Sequence, residues 1–416
     1  MAEPVRIERI AAGGDGVGRL ADGRVAFVPR TAPGDLAMVT IARPAKRFVR
    51  ARLTALVEPG SGRVEPRCPH YQGDECGGCQ LQHLTPASQV EARRGILADA
   101  LARIAKLPVE APPLEPAPSQ WGYRTKISVT VAPAGPIGYH RFGRPASIFD
   151  LDRCALAAEA INDLWSRIKR ARATLPRAAT RLVLRLDRSG GEHLIVETGE
   201  GPVWSGGKAT SSAIRADRPL TVWWRPPAGA ARAVAGAESA YPATAFEQIH
   251  PAMGDRVRAF AVDQLGPLAG RRVWDLYSGV GETASLLAAG GALVESVESD
   301  GTAVAEAARR QGDAGPRIER TVGLAERVIG SLGTPGLVVT NPPRAGMDRA
   351  VVAAIRNRAP ERVVYLSCDP ATLARDLARL ADRSGPGVGY RLAALAAFDL
   401  FPQTAHLETV ALLERT

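Results

Sequence analysis

Asp275-Leu276-Tyr277-Ser278-Gly279-Val280-Gly281-Glu282 follows the strand-like run Arg272-Val273-Trp274 and leads into a helical stretch, and this segment settles the architecture of the C-terminal half. A strand that ends in a Gly-rich turn and passes into a helix opens a βαβ unit. The glycines permit a tight turn and the close approach of a ligand to the backbone. Glu298 lies 19 residues beyond Gly279, at the end of the next predicted strand, where a carboxylate can accept both hydroxyls of a ribose. Gly279-x-Gly281-x-x-Ala284 also satisfies the loose dinucleotide fingerprint. Taken alone, the turn does not separate NAD from S-adenosylmethionine (SAM), and a purely structural Gly turn is the plain alternative.

From residue 271 onward the pattern is regular. Strands are predicted at Arg272–Tyr277, Leu293–Glu298, Arg317–Val322, Gly336–Thr340 and Arg362–Ser367, with helices after the first strand, near Thr302–Gln311 and at Ala371–Ala381. Strands separated by helical stretches imply a parallel, doubly wound sheet, and Arg391–Phe398 with His406–Leu413 reads as a closing hairpin. Ligands bind such sheets at the carboxyl ends of the strands, and three more motifs fall there. Asn341-Pro342-Pro343-Arg344-Ala345-Gly346 ends the fourth strand, its prolines holding a polar side chain and backbone groups at the edge, which tilts the choice from NAD toward a methyltransferase. Tyr365-Leu366-Ser367-Cys368-Asp369-Pro370 ends the fifth. A lone cysteine is usually a buried core residue, but Cys368 at the ligand edge, ahead of a helix, is placed to act as a nucleophile. In His406-Leu407-Glu408-Thr409-Val410 a carboxylate interrupts an apolar strand, suiting Glu408 to be a general base rather than a surface acid.

The other half reads differently. Five short strands in residues 1–58, punctuated by Gly13-Gly14-Asp15-Gly16-Val17-Gly18 and Pro33-Gly34-Asp35, fit an OB-like barrel, a common nucleic-acid module. Residues 1–67 carry 12 Lys+Arg against 7 Asp+Glu, and Arg43, Lys46, Arg47, Arg50 and Arg52 form a run without an acid. That patch predicts RNA contact. Residues 59–85 are rich in Gly, Pro and Cys, a helix is predicted over Ala87–Lys106, and Pro108–Pro118 reads as a connector. Residues 121–245 mix strands (Lys126–Val131, Leu182–Leu186, His193–Glu197, Leu220–Trp224) with a helix near Ala155–Ala173, an α+β pattern. The expected domains are 1–58, 59–245 and 246–416.

Composition bounds the function. The chain of 416 residues suggests two to four domains, and 45% apolar with 23% charged residues fills ordinary cores. There is no 20-residue apolar span and no secretory signal at the start, so a cytoplasmic protein is expected. The net charge of +10, with 48 Arg and 5 Lys, favours an anionic partner, nucleic acid ahead of membrane. Five cysteines (Cys68, Cys76, Cys79, Cys154, Cys368) are an odd number, which argues against a disulfide framework and suggests a metal centre plus a nucleophile.

Along nearly its whole length the chain resembles the SAM-dependent RNA 5-methyluridine (uracil-C5) methyltransferases that carry an N-terminal TRAM domain. Gly13–Arg19 looks like a TRAM start, and Asp275–Gly281, Asn341–Gly346, Ser367–Pro370 with Thr372-Leu373-Ala374-Arg375-Asp376-Leu377, and His406–Val410 stand in the family's order. The resemblance implies a TRAM barrel, a central domain with a Cys-rich loop and a Rossmann-like class I methyltransferase domain. It makes Cys368 the nucleophile and Glu408 the base, with Gln248, Tyr277, Gly279, Gly281, Glu282, Glu298 and Asn341 contacting SAM or arranging its site. Ser278, Glu282, Asn341 and Asp369 depart from the family's commoner Cys, Asn, Asp and Asn, and none removes a group the chemistry requires.

Cys68, Cys76, Cys79 and Cys154 resemble the ligands of the 4Fe–4S cluster found in part of this family, although the seven residues between Cys68 and Cys76 exceed the usual gap. Thiolates suit zinc as well, and His70 or His83 could then join. The reaction needs no electron, so a structural or RNA-positioning role fits the cluster better than redox chemistry. By the same resemblance the quartet implies 23S rRNA ahead of tRNA as the substrate, and a monomer is expected. Two competing readings are an amino-methyltransferase, from the Asn341-Pro342-Pro343 signature, and a non-catalytic RNA-binding iron–sulfur protein. Arg344 in place of the signature's aromatic weighs against the first, and intact Cys368 and Glu408 against the second.

Overall fold

Alternating burial in the first 58 residues closes a barrel of β1 (Glu3–Ile10), β2 (Gly16–Arg19), β3 (Val25–Val28), β4 (Leu36–Pro44) and β5 (Phe48–Glu58), in the order β1-β2-β3-β5-β4. Val5, Ile7, Ala26, Val28, Val39 and Val49 fill it. The Gly13–Gly18 stretch, which reads as a turn, contains strand β2 because a glycine is needed there: a Cβ on Gly18 would lie 2.2 Å from the Arg6 carbonyl oxygen. Arg43, Lys46, Arg47, Arg50 and Arg52 are all exposed, and beside them Phe48 is 45% exposed with its ring edge-on to Phe27.

In this computed structural model, residues 2–236, 241–312 and 318–416 are described. They form two units, one of Met1–Glu65, Gln80–Pro118 and Ala252–Thr416, the other of Pro66–Cys79 and Ser119–Pro251. A single turn α1 (Pro69–Gln72) and a long helix α2 (Pro86–Ala100) follow the barrel in sequence. Thr85 caps α2 by accepting from the Ser88 N–H, and the helix runs on through one wider π turn, Leu101–Ala105, to left-handed Lys106. Its apolar face, Ala92 and Ile96, packs with Ile10, Ala32, Leu84 and Ala405, and its Arg93 forms a fully buried ion pair with Asp399. The Pro-rich connector is not free either: it holds β6 (Leu114–Glu115), which pairs with a C-terminal strand.

The second unit contains β7 (Lys126–Val131), β8 (Ile137–Arg141), β9 (Arg144–Asp150), α3 (Glu159–Arg170), β10 (Ala179–Leu186), β11 (Glu192–Thr198), α4 (Gly207–Ile214), β12 (Leu220–Arg225) and β13 (Arg232–Ala235). The sheet order is β13-β12-β11-β10-β7-β8-β9, antiparallel except for β11 beside β12. Ile161, Leu164, Trp165 and Ile168 put one face of α3 into the core, the spacing of an amphipathic helix.

The rest of the first unit is α5 (Pro251–Asp263), β14 (Arg272–Leu276), α6 (Glu282–Ala289), β15 (Leu293–Glu298), α7 (Gly301–Gln311), β16 (Ile318–Val322), α8 (Ala325–Val328), β17 (Leu337–Thr340), α9 (Arg349–Arg358), β18 (Arg362–Ser367), α10 (Pro370–Ala381), β19 (Tyr390–Phe398) and β20 (Glu408–Arg415). Arg317, the predicted start of the third strand, lies outside the described residues. The sheet runs β16-β15-β14-β17-β18-β20-β19-β6. Strands β14 to β18 are parallel and β20 is antiparallel to β18. The strand order reverses between β14 and β17, and in such sheets that switch point is where ligands bind.

Candidate active site

The Gly-rich turn sits at the switch point. Tyr277 (φ 62), Gly279 (φ 56) and Gly281 (φ 76) all take the left-handed conformation, the second and third at no steric cost. The Gly279 N–H donates to Glu298 Oε2 at 2.9 Å, and the Asp300 N–H to Oε1 at 2.8 Å, which fixes the Glu298 carboxylate at the end of β15. Asp275 is fully buried at the end of β14. One of its oxygens accepts the Ala284 N–H in the first turn of α6, and burial pushes its pKa up to about 7. Its Oδ2 and the Thr340 Oγ1 on the neighbouring strand are buried polar atoms without a partner among the described residues. Such atoms are costly. Two of them at one sheet edge, beside a glycine turn and a fixed carboxylate, fit a cradle for a polar nucleoside-type ligand.

Asn341, at the end of β17, is half-buried and its N–H donates to Leu276 O at 3.2 Å. Glu282 pairs with Arg258 at 3.0 Å. Ser278, at a common Cys position, accepts from Ser296 Oγ at 2.8 Å. Tyr277, Gly279, Gly281, Glu282, Glu298 and Asn341 thus gather at the ends of three adjacent strands. Gln248 belongs to the second unit, half-buried in a segment that Arg185 holds through the Ala243 and Ala245 carbonyls and Glu247.

Cys368 and Glu408 are brought together by register. Strands β18 and β20 pair Ser367 with Thr409, so the next step places Cys368 opposite Glu408, and Thr409 Oγ1 locks the pairing by donating to Ser367 O at 2.9 Å. Burial pushes the Cys368 thiol up, the Glu408 charge pushes it further, and Arg344, which hydrogen-bonds the sulfur, opposes both. Glu408 is 2% exposed, and burial raises its pKa to about 8, again against Arg344. Asp369 caps α10 by accepting the Ala371 and Thr372 N–H groups, each at 2.9 Å, a role Asn fills equally well. Arg344 is the member of the site that sequence reasoning missed, since there it stands only as the residue replacing an aromatic. Its signal was its position, directly after the Pro-Pro step in the loop that follows β17, the strand beside the one that leads into Cys368.

The other four cysteines lie in the second unit. Cys68, Cys79 and Cys154 share an apolar cluster with Tyr123 and Leu156, and Cys154 also borders the core that holds Cys76. Cys68 accepts hydrogen bonds from the His70, Tyr71 and Ala155 N–H groups, Cys76 accepts one from Gly78, and the Tyr139 hydroxyl meets Cys154. Arg124 lies near Cys79 and Cys154. His70 is committed elsewhere: Nδ1 pairs with Asp74 at 2.7 Å, and Nε2 faces the Asp152 and Arg153 N–H groups. His83 is buried in the first unit with Nε2 on Thr31 O at 3.0 Å. Among the described residues, no three His, Cys, Asp or Glu side chains converge closely enough to enclose a single metal ion.

An OB-like barrel joined to a doubly wound sheet whose edge holds a nucleoside-type cradle beside a cysteine and a carboxylate defines an RNA-directed, class I SAM-dependent methyltransferase. Comparison with known proteins agrees. The TRAM domain family matches residues 3–54, and the family described as tRNA (Uracil-5-)-methyltransferase matches residues 333–416. The chain is 31% identical to the 23S rRNA (uracil(1939)-C(5))-methyltransferase of Thiobacillus denitrificans, covering 97% of each chain. It is 32% identical to an uncharacterized RNA methyltransferase of Thermosynechococcus vestitus, covering 98% of this chain and 97% of the relative. The crystal structure of Pyrococcus abyssi tRNA (uracil-54, C5)-methyltransferase with S-adenosyl-L-homocysteine superposes with a TM-score of 0.73 at 25% identity, covering 99% of each chain. The chain belongs to the SAM-dependent RNA uracil-C5 methyltransferase family.

Proposed function

We propose that this enzyme methylates C5 of a uridine in 23S rRNA through a covalent bond between Cys368 and C6, with Glu408 as the base. The juxtaposition of Cys368, Glu408 and Arg344 supports the assignment. Uracil C5 is a poor nucleophile. A Cys368 thiolate adding to C6 places electron density on C5, which then takes the methyl group. SAM supplies that group as an electrophile on its sulfonium, held by the Gly279–Gly281 turn, Glu298 and Asn341, with Tyr277 assisting. Glu408 then removes the C5 proton, and elimination returns the thiolate. Because both groups must lose protons to act, and burial raises both, turnover rises with pH toward the alkaline side of neutrality. The uridine must leave its stack to reach Cys368.

Two observations support the 4Fe–4S reading for Cys68, Cys76, Cys79 and Cys154. Backbone N–H groups donate to the sulfurs of Cys68 and Cys76, which suits thiolates that ligate a cluster. Cys68, Cys79 and Cys154 share one apolar cluster, and Cys154 also borders the core that holds Cys76, so the four thiols come from neighbouring segments of one unit. When bound, the cluster would tie the Cys68–Cys79 loop to Cys154. No helix among the described residues is long and apolar enough to cross a membrane.

The test is methylation of 23S rRNA and tRNA transcripts by anaerobically purified enzyme, with the product mapped and the metal counted. The expected outcome is 5-methyluridine in 23S rRNA with roughly four irons per chain. Methylation of tRNA alone, or stoichiometric zinc without iron, contradicts the respective part. Neutralising Arg43, Lys46, Arg47, Arg50 and Arg52 together should weaken RNA binding and flatten its salt dependence while sparing turnover at saturating RNA, as titrations across salt concentrations will read.

A further inference from the structure

Helix α10 carries a buried carboxylate that the chemistry above does not use. Asp376 is 0% exposed and gathers donors from three segments. Its Oδ2 accepts the Met347 N–H at 2.8 Å and the Tyr365 hydroxyl at 2.9 Å. Arg375 Nε and Arg379 Nη1 reach its Oδ1 at 2.9 and 3.0 Å. Arg375 Nη2 also donates to the Ala345 carbonyl at 2.7 Å. Between Ala345 and Met347, Gly346 has φ +78, and a Cβ there would lie 2.2 Å from Arg375 Nη2 and 2.4 Å from Asp376 Oδ2. The loop after β17 is therefore seated directly on the Arg375–Asp376 pair. Ala345 is the neighbour of Arg344, Tyr365 stands three residues before Cys368, and α10 begins two residues after it. One carboxylate thus ties the loop bearing Arg344 to the strand and helix that flank Cys368.

We propose that Asp376 is a positioning residue for the nucleophile: with Arg375 and Tyr365 it locks the 341–347 loop so that Arg344 stays against the Cys368 sulfur. The proposal rests on the assignment of Cys368 as nucleophile. A buried ionic network is a costly way to fill a core, and this one fixes a single loop conformation next to the reacting atom. The charged groups facing Cys368 are Glu408 from β20, Asp369 from the α10 cap and Arg344 from the loop. Of these three, Arg344 alone is cationic. If the loop shifts, two carboxylates remain and the thiolate is disfavoured.

The test is the pH dependence of Cys368 alkylation by iodoacetamide in the full chain, read on the Cys368 peptide by mass spectrometry, for wild type, D376N, Y365F and R375Q. D376N should move the midpoint upward by about one pH unit, so that about tenfold less thiolate is present below it. Its kcat should fall by about tenfold, with KM for RNA and the SAM affinity within about twofold of wild type. Y365F and R375Q should shift the midpoint the same way by less, and they decide the matter if D376N does not fold. An unshifted midpoint in folded, SAM-binding variants overturns the proposal, because a merely structural role lowers stability without moving the ionisation of Cys368. Failure of the wild-type enzyme to bond 5-fluorouridine RNA would overturn the nucleophile assignment instead, independently of the alkylation profile.

Discussion

Cys368→Ala abolishes methylation, with a loss on the order of 10⁵-fold or more, the scale on which removal of a covalent nucleophile is felt. Radiolabelled methyl transfer to RNA reads this directly. The alanine cannot reach C6, so C5 gains no electron density and no enzyme–RNA bond forms. SAM binding should survive, since the cradle is built from β14, β15 and β17 whereas Cys368 follows β18. The variant should fold as well. Cys368 is half-buried at a strand end, and the elements around it are held by Thr409 on Ser367 and by the Asp369 cap.

Glu408→Gln fails at a different step. Attack and methyl transfer proceed once, but nothing removes the C5 proton, so a methylated RNA remains bonded to Cys368. Turnover should drop by about 10²- to 10⁴-fold, the usual contribution of a positioned base. The complex should appear as a slow-migrating band on a denaturing gel. The substitution also deletes the charge that raises the Cys368 pKa, so adduct formation in this variant should persist to lower pH than in wild type. A second consequence concerns stability. The carboxyl ionises near its ordinary value of 4.5 when unfolded and only near about 8 when buried, so wild type loses stability relative to the Glu408→Gln variant as pH rises between those values.

Much of this site was legible because its parts sit at strand ends. Arg362–Ser367, Leu293–Glu298 and Lys126–Val131 coincide with the predicted strands to the residue, each an apolar or alternating run bounded by turn residues. The motifs that follow such strands fall at the carboxyl edge by topology alone, which brought Cys368 and the glycine turn into view. Elements with weaker patterns escaped. Strand β2 hides in glycines that the tight barrel requires, and β8–β9 carries His140, Arg141, Arg144 and Asp150 among few buried apolar residues. Helix α9 went unseen although Asp348 caps it at 2.8 Å from the Ala350 N–H. Arg344 and Asp376 were present in quoted motifs but meaningless apart. Their roles arise only when β17 and β18 lie side by side and the loop after one meets the helix after the other. Long-range contacts of that kind leave no local periodicity to read.

The central claim is a covalent bond between Cys368 and the target uridine, and one measurement reaches it directly. Wild-type enzyme is incubated with SAM and 23S rRNA fragments containing 5-fluorouridine, then denatured, digested and mapped by mass spectrometry. Fluorine cannot leave C5 as a cation, so the step assigned to Glu408 is blocked and the methylated nucleotide should remain attached to the peptide bearing Cys368. Absence of any adduct, or attachment to Cys68, Cys76, Cys79 or Cys154 instead, would contradict the account.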